Sequence, residues 1–174
     1  MSEKITAYKG KIKHRGLYPF KDVYEFLYDY LMDEDYDVYE KFYVEKRVGD
    51  AKEVDISWEA NKRISDYFTV RITAFWIVLD MKSVEIEKEG QKIKTDSGVL
   101  EINIQGLLVK DPNDIWKNSP WKTLRKIYDK FIIKKRIEYY KEFAKEEAEE
   151  FIGYIRSLLA FETKHETRKE TLYI

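Results

Sequence analysis

Between residues 38 and 110 apolar side chains recur at every second position, and that period constrains the fold more than any other feature. Successive side chains of a strand point to opposite faces, so alternation marks a segment with one face buried and one wet. Val54, Ile56, Trp58 and Ala60 alternate with Asp55, Ser57, Glu59 and Asn61, and Leu100, Ile102, Ile104 and Leu108 form a second such row. The spacing predicts strands over 38–46, 52–64, 67–79, 83–89, 92–95 and 99–110. Turn residues separate them at Val48-Gly49-Asp50, Ser65-Asp66, Gly90 and Ser97-Gly98. Connections this short join neighbouring strands antiparallel. The run from Ala74 through Phe75, Trp76, Ile77 and Val78 to Leu79 breaks the alternation. With no polar side, it needs cover on both faces. That cover is either a helix on the second face of a central strand, or a dimer interface or lipid-facing patch.

An apolar sheet face must itself be covered, and the flanking segments read as helices. A strand over 5–14 comes first, with Lys9, Lys11, Lys13 and Arg15 on one side and Tyr8, Gly10 and Ile12 on the other. Pro19 then opens a helix in which Phe20, Val23, Tyr24, Leu27, Tyr30 and Leu31 recur at three- and four-residue steps. The acidic run Asp33-Glu34-Asp35 suits a helix C-terminus poorly, so the helix ends near Met32. At the other end, Ser119-Pro120 pairs an N-cap with a proline in the first turn. Helix formers fill most of the positions from there to 162.

On a helical wheel that C-terminal run has two apolar faces. Leu124, Ile127, Tyr128 and Phe131 cluster on one side, while Ile137, Tyr140, Ala144, Ala148, Phe151, Ile155 and Leu158 cluster nearly opposite. The change falls at Ile132, and the charge changes with it from basic to acidic. The expected architecture is α+β: a curved antiparallel sheet of about six or seven strands, one N-terminal helix and a long C-terminal helix. A single domain is expected over 1–162, with a polar tail over 163–174.

Composition excludes several chemistries. There is no cysteine, so disulfides, zinc–thiolate sites and cysteine nucleophiles are ruled out. The 32 basic and 33 acidic residues leave a net charge of −1, which removes any global argument for a polyanionic partner. No apolar run is long enough to span a bilayer, and the first ten residues lack an apolar signal core, so a soluble cytoplasmic protein is expected. Nucleotide-binding glycine loops and the G-x-S-x-G elbow are missing, and the two histidines, His14 and His165, lie far apart in sequence. The acidic stretch from Asp33 to Asp37 lacks the glycine of a calcium loop. No catalytic residue, metal ligand or cofactor is therefore assigned, and a non-enzymatic binding protein is expected.

The order strand, helix, several antiparallel strands, long helix resembles the helix-grip superfamily of START-type lipid-transfer and pollen-allergen-like proteins. That resemblance implies a sheet wrapped round the last helix, with a hydrophobic ligand held between them. Ile56, Trp58, Ile102 and Ile104 on the sheet, with Tyr140 and Phe151 on the helix, are the candidate lining. The glycine-rich loop of the pollen-allergen branch is reduced to Val48-Gly49-Asp50, so no ligand residue is carried over. The runs ISWEANKRISDYF and LRKIYDKFIIKKRIEYYKE are also similar to uncharacterised small archaeal proteins, a likeness that implies origin and no activity. A hydrophobic small molecule, a protein partner or a second copy in a homodimer are the expected partners.

The alternative is a nucleic-acid-binding module. Lys122, Arg125, Lys126 and Lys130 crowd the first half of the long helix, where cations oppose the helix dipole, and Trp121 beside them offers a ring for stacking. The stripe from Lys9 to Arg15 is a second basic feature. It equally suits cross-strand pairing with Glu85, Glu87 and Glu89, or protection of a sheet edge.

Overall fold

The computed structural model describes residues 3–88, 90–110, 127 and 134–170. In chain order the elements are β1 (Glu3–Tyr18), α1 (Phe20–Asp33), β2 (Asp37–Val48), β3 (Ala51–Arg63), β4 (Phe68–Lys88), β5 (Gln91–Lys110) and α2 (Lys134–Glu170). The five strands form one antiparallel sheet in the order β1-β5-β4-β3-β2. Strands β2 to β5 follow one another as a meander, and β1 closes the far edge by pairing with β5 from Glu3↔Lys110 to Tyr18↔Asp96. The described residues are therefore α+β with five strands, not six or seven.

Two expected breaks account for the difference. Residues 67–79 and 83–89 belong to one strand, because the chain between them makes a β-bulge instead of a turn. Register shifts between Leu79 and Lys82, and Asp80 takes up the irregularity at φ 52°. Val78 and Met81 are both buried although three positions apart, so the bulge reverses which residues face the core. Residues 92–95 and 99–110 likewise form one strand running through Ser97-Gly98. Gly98 lies against the bulge: a Cβ there would stand 2.9 Å from the Leu79 carbonyl oxygen and 3.0 Å from the Met81 Cα. Close backbone approach, not chain reversal, requires that glycine. The hairpin turns that do form hold Gly49 at φ 67° and Gly90 at φ 79°.

One face of the sheet carries the core. Val54, Ile56, Trp58, Trp76, Val78, Leu100, Ile102 and Ile104 are buried there with Val23, Leu27 and Leu31 of α1 and Ala144, Phe151, Ile152, Ile155 and Leu159 of α2. Helix α2 packs mainly on β1 and β5, while α1 borders β2. Of the apolar set expected for the second half of the C-terminal helix, Ala144, Ala148, Phe151 and Ile155 are buried and Ile137, Tyr140 and Leu158 half-buried, while Ile152 and Leu159 join the buried stripe. The helix continues to Glu170, beyond the boundary expected at 162. The expected start at Ser119-Pro120 and the change of face at Ile132 lie outside the described residues. No described helix is long and apolar enough to cross a membrane.

The ends of α1 are tied down by groups from elsewhere. The Phe20 N–H donates to the Asp96 carboxylate of β5 at 3.2 Å, satisfying one of the helix's free amides. At the C-terminus Asp35 adopts φ 62°, and the Tyr36 N–H returns to the Leu31 carbonyl at 2.9 Å, closing the helix. Two glycines let α2 close on the sheet: a Cβ on Gly10 would overlap the Ile152 side chain, and at Gly106, where the helix backbone itself comes close, a Cβ would lie 2.8 Å from the Ala144 carbonyl oxygen and from the Ala148 Cβ. We expect Gly106→Ala to push α2 outward and lower the free energy of unfolding in urea by about 1–3 kcal/mol. Gly153→Ala, at an exposed position of α2 where a Cβ meets nothing within 4 Å, should raise it by about 0.5–1 kcal/mol in the same measurement.

Candidate functional site

The bulge in β4, the N-terminus of α1 and the hairpin end of β2 and β3 enclose a groove of about 490 Å³. Its walls are the rings of Phe20, Tyr24 and Tyr43 with the Met81 side chain, and its rim carries Lys21, Glu25, Glu45, Lys52 and Asp96. Met81 reaches the groove because the bulge turns it towards the helix side. A second hollow of about 580 Å³ borders the first and shares Lys52, Met81 and Asp96 with it. Lys82 bridges the second hollow to Asp50 at 3.1 Å. Bulges commonly re-aim side chains next to sites in this way.

Behind the groove lies an aromatic stack. Tyr24 meets Trp58 edge-on at 4.9 Å between ring centroids, Trp58 meets Trp76 at 4.9 Å, and Tyr28 leans on Trp58 at 6.0 Å. Glu40 of β2 anchors the stack, accepting from the Tyr24 hydroxyl at 2.5 Å and from the Trp58 indole N–H at 3.3 Å. Among the described residues, two buried polar atoms have no partner: the Trp76 indole nitrogen and the Tyr18 hydroxyl. Each borders the groove lining, Trp76 against Tyr24 and Tyr18 opposite Asp96 in the β1–β5 register. A buried donor left unmade costs about 1–3 kcal/mol, so such atoms call for an explanation.

Most rim charges are already engaged. Lys52 pairs with Glu45 at 2.8 Å, Lys21 with Glu25 at 3.7 Å, and Asp96 caps Phe20. A separate polar cluster fixes α2 to the rest of the fold. Glu147 accepts from the Tyr36 hydroxyl at 2.8 Å and from Lys62 at 3.0 Å, while the Lys62 ammonium lies over the rings of Tyr36 and Phe143. All of its groups satisfy one another, so its role is structural.

Of the residues expected to line a ligand cavity, Ile56, Trp58, Ile102, Ile104 and Phe151 are buried in the main core. Tyr140 is half-buried at its margin, 4.9 Å from the Phe68 ring. Trp121, Lys122, Arg125, Lys126 and Lys130 lie outside the described residues. The His14 Nε2–H donates to the Leu17 carbonyl at 3.1 Å, and the ring packs edge-on against Tyr18. Among the described residues no cluster of three metal-ligating side chains occurs. Sequence reasoning did not single out the groove residues Tyr24, Tyr43, Met81 and Asp96 as a site. The signal available was the broken alternation at Asp80-Met81, which marks a bulge as well as it marks a turn. The chain matches no protein-family model and no curated protein.

Four tyrosines favour their neutral forms, Tyr18 and Tyr24 beside the groove and Tyr30 and Tyr36 against α2. Burial, then the nearby charge of Asp96, raises Tyr18; burial, then the hydrogen bond to Glu40, raises Tyr24; burial, then Glu147, raises Tyr36. Burial followed by the charges of Glu34, Glu150 and Glu147 pushes Tyr30 up to about 12. Below the ordinary tyrosine value of 10.0 both folded and unfolded chains are protonated, and stability is complete. Above it the unfolded chain ionises first, so stability falls as pH climbs through the raised values. Alkaline titration should show phenolate absorbance from these four rings appearing together with loss of helical circular dichroism. Their ionisation near pH 10 in a fully helical protein would contradict that assignment.

Proposed function

We propose that this chain is a non-enzymatic binding protein of helix-grip type. Its ligand is a small, flat apolar molecule carrying a hydrogen-bond acceptor. The order of elements and the order of strands, with β1 returning beside β5, support the helix-grip reading. The close approach of α2 to Gly106 leaves little room beneath the middle of that helix, which favours the α1 end of the sheet as the ligand site. The groove there has the volume of an ordinary small-molecule pocket, roughly 300–1,000 Å³. Apolar and aromatic walls bounded by a few polar groups suit an amphipathic guest.

The observation that carries the proposal is the pair of buried donors behind the groove wall, on Trp76 and Tyr18. An acceptor carried by the ligand would complete either of them, provided that Tyr24 or Asp96 shifts to admit it. The paired rim charges leave little net attraction for an ionic ligand, so recognition rests on shape, ring contact and that acceptor.

Native mass spectrometry of the purified protein should reveal a bound molecule of small mass at one per chain. Titration with an anilinonaphthalene sulfonate dye should give saturable blue-shifted emission at one site and quench the tryptophans. Tyr43 is exposed, so Tyr43→Ala should leave the urea midpoint unchanged while weakening dye binding by about tenfold, or ~1.4 kcal/mol. Absence of any bound molecule together with dye binding indifferent to Tyr43→Ala would sink the proposal.

A further inference from the structure

The sheet face opposite the described helices carries an arrangement that the groove does not use. Its first part is a column of cations, Lys9, Lys11, Lys13 and Arg15, along β1. Its second part is a group of rings, Tyr39 and Phe42 on β2 and Phe75 on β4, which remain 53%, 42% and 38% exposed. Register puts the two parts on common rows: Phe42 lies level with Ser57, Phe75, Asn103 and Lys11 across all five strands. At about 4.8 Å between strands, the Phe75 ring and the Lys11 backbone stand about 10 Å apart. Between them run uncharged hydrogen-bonding side chains, Asn103 and Gln105 on β5.

The cations of this face gather along β1, at one edge of the sheet. Two of its carboxylates are already countered: Glu59 by Arg71 at 3.2 Å and Lys41 at 3.7 Å, and Glu101 by Lys11 at 2.7 Å with Asn103 at 3.2 Å; a third, Asp55, lies away from the cations, on β3 between Val44 and Ile77. Those contacts hold the Glu101 carboxyl below its ordinary range. Lys9 and Arg15 have no carboxylate within ion-pair distance among the described residues, and Lys13 acts on Glu101 only through its field. On the opposite layer α1 is acidic, with Asp22, Glu25, Asp29 and Asp33 against Lys21, while the acidic and basic residues of α2 balance. The balanced net charge of the chain therefore coexists with a local column of cations along β1.

We propose that this face binds single-stranded nucleic acid, with phosphates along the β1 cations and unpaired bases on the rings of Phe42 and Phe75. A sheet face that pairs exposed rings with a basic border can hold a backbone and stack bases without reading sequence. Duplexes keep their bases stacked inside and offer such rings nothing, so selectivity for single strands follows. The offsets of ~10 Å from the cation column to Phe75 and ~19 Å to Phe42 let one strand of nucleic acid cross from the cations to the rings.

Fluorescence anisotropy with labelled oligouridylate and oligothymidylate tests the proposal on the full chain. Saturable binding is expected at low salt, with an equivalent hairpin duplex much weaker. Combined Lys9→Glu, Lys13→Glu and Arg15→Glu should weaken binding at least ~tenfold and flatten the slope of log affinity against log salt by about three. Phe42→Ala and Phe75→Ala should each weaken binding by roughly fivefold or more and leave the salt slope unchanged. All five positions are exposed or partly so, and circular dichroism checks that the variants fold. The proposal is overturned by no binding at low salt, or by equal binding of duplex with no effect of either phenylalanine. It is likewise overturned if Lys122→Glu, Lys126→Glu and Lys130→Glu abolish binding while the face variants do not. A dimer in light scattering that Phe75→Lys converts to monomer would make this face a contact between copies, and would overturn the proposal as well.

Discussion

Everything in this fold rests on helix α2 lying against the sheet with almost no side chain between them at one point. Gly106 on β5 faces Ala144 and Ala148, and the helix backbone comes as near as those three small residues allow. Either side of that contact, larger side chains fill the space: Phe151, Ile152, Ile155 and Leu159 towards the C-terminus of the helix, with Ile12, Ile102 and Ile104 on the strands. Small residues fix the distance and large ones fill it, which gives dense packing without strain. Because α2 covers β1 and β5, the remaining apolar rows of β3 and β4 need a second cover, and α1, which borders β2, supplies it by laying Tyr24 and Tyr28 against Trp58 and Trp76. The groove is what remains where α1 begins and the sheet extends past it.

The consequences of the β4 bulge reach both faces. One extra residue between Val78 and Lys82 brings Met81 to the helix side and leaves Lys82 and Val84 on the other. Without it, the hydrophobic row of β4 would end at Val78 and the groove would lose its thioether wall. Asp80 bears the cost in a left-handed conformation that aspartate tolerates better than most residues.

Much of this could be read from alternation alone. Rows such as Val54-Ile56-Trp58-Ala60 specify which side of β3 is buried, and the structure buries those four residues. The α1 stripe and the turns at Gly49 and Gly90 were equally legible, because each depends on local geometry. Strand number was not. Asp80-Met81 and Ser97-Gly98 look like turns to a reader of single segments, and only their placement opposite each other across β4 and β5 reveals a bulge and its glycine. The run from Ala74 to Leu79 signalled apolar character on both sides; Trp76 and Val78 are buried, whereas Phe75 and Leu79 stay exposed. Of the candidate ligand residues, Ile56, Trp58, Ile102, Ile104 and Phe151 are packed in the core, and Tyr140 sits half-buried at its margin. The groove gathers residues from α1, β2, β3, β4 and β5, and no sequence period links Tyr24 to Asp96.

The pairing of the first strand with the last has a consequence for how the chain assembles. Strands β2 to β5 can form by successive hairpins as they leave the ribosome, each needing only a neighbour just synthesised. Strand β1 must wait, since Glu3 meets Lys110 and its neighbours meet residues almost as distant. Contacts so remote in sequence close late, after the entropy of a long loop has been lost. Helix α2 lies across β1 and β5 together, so its docking site is complete only once that pairing is made. Strand β1 and helix α2 should therefore join the structure in a single late event. Until then the nascent chain carries a finished meander whose β5 edge is unpaired, the edge that its own first residues occupy in the native state.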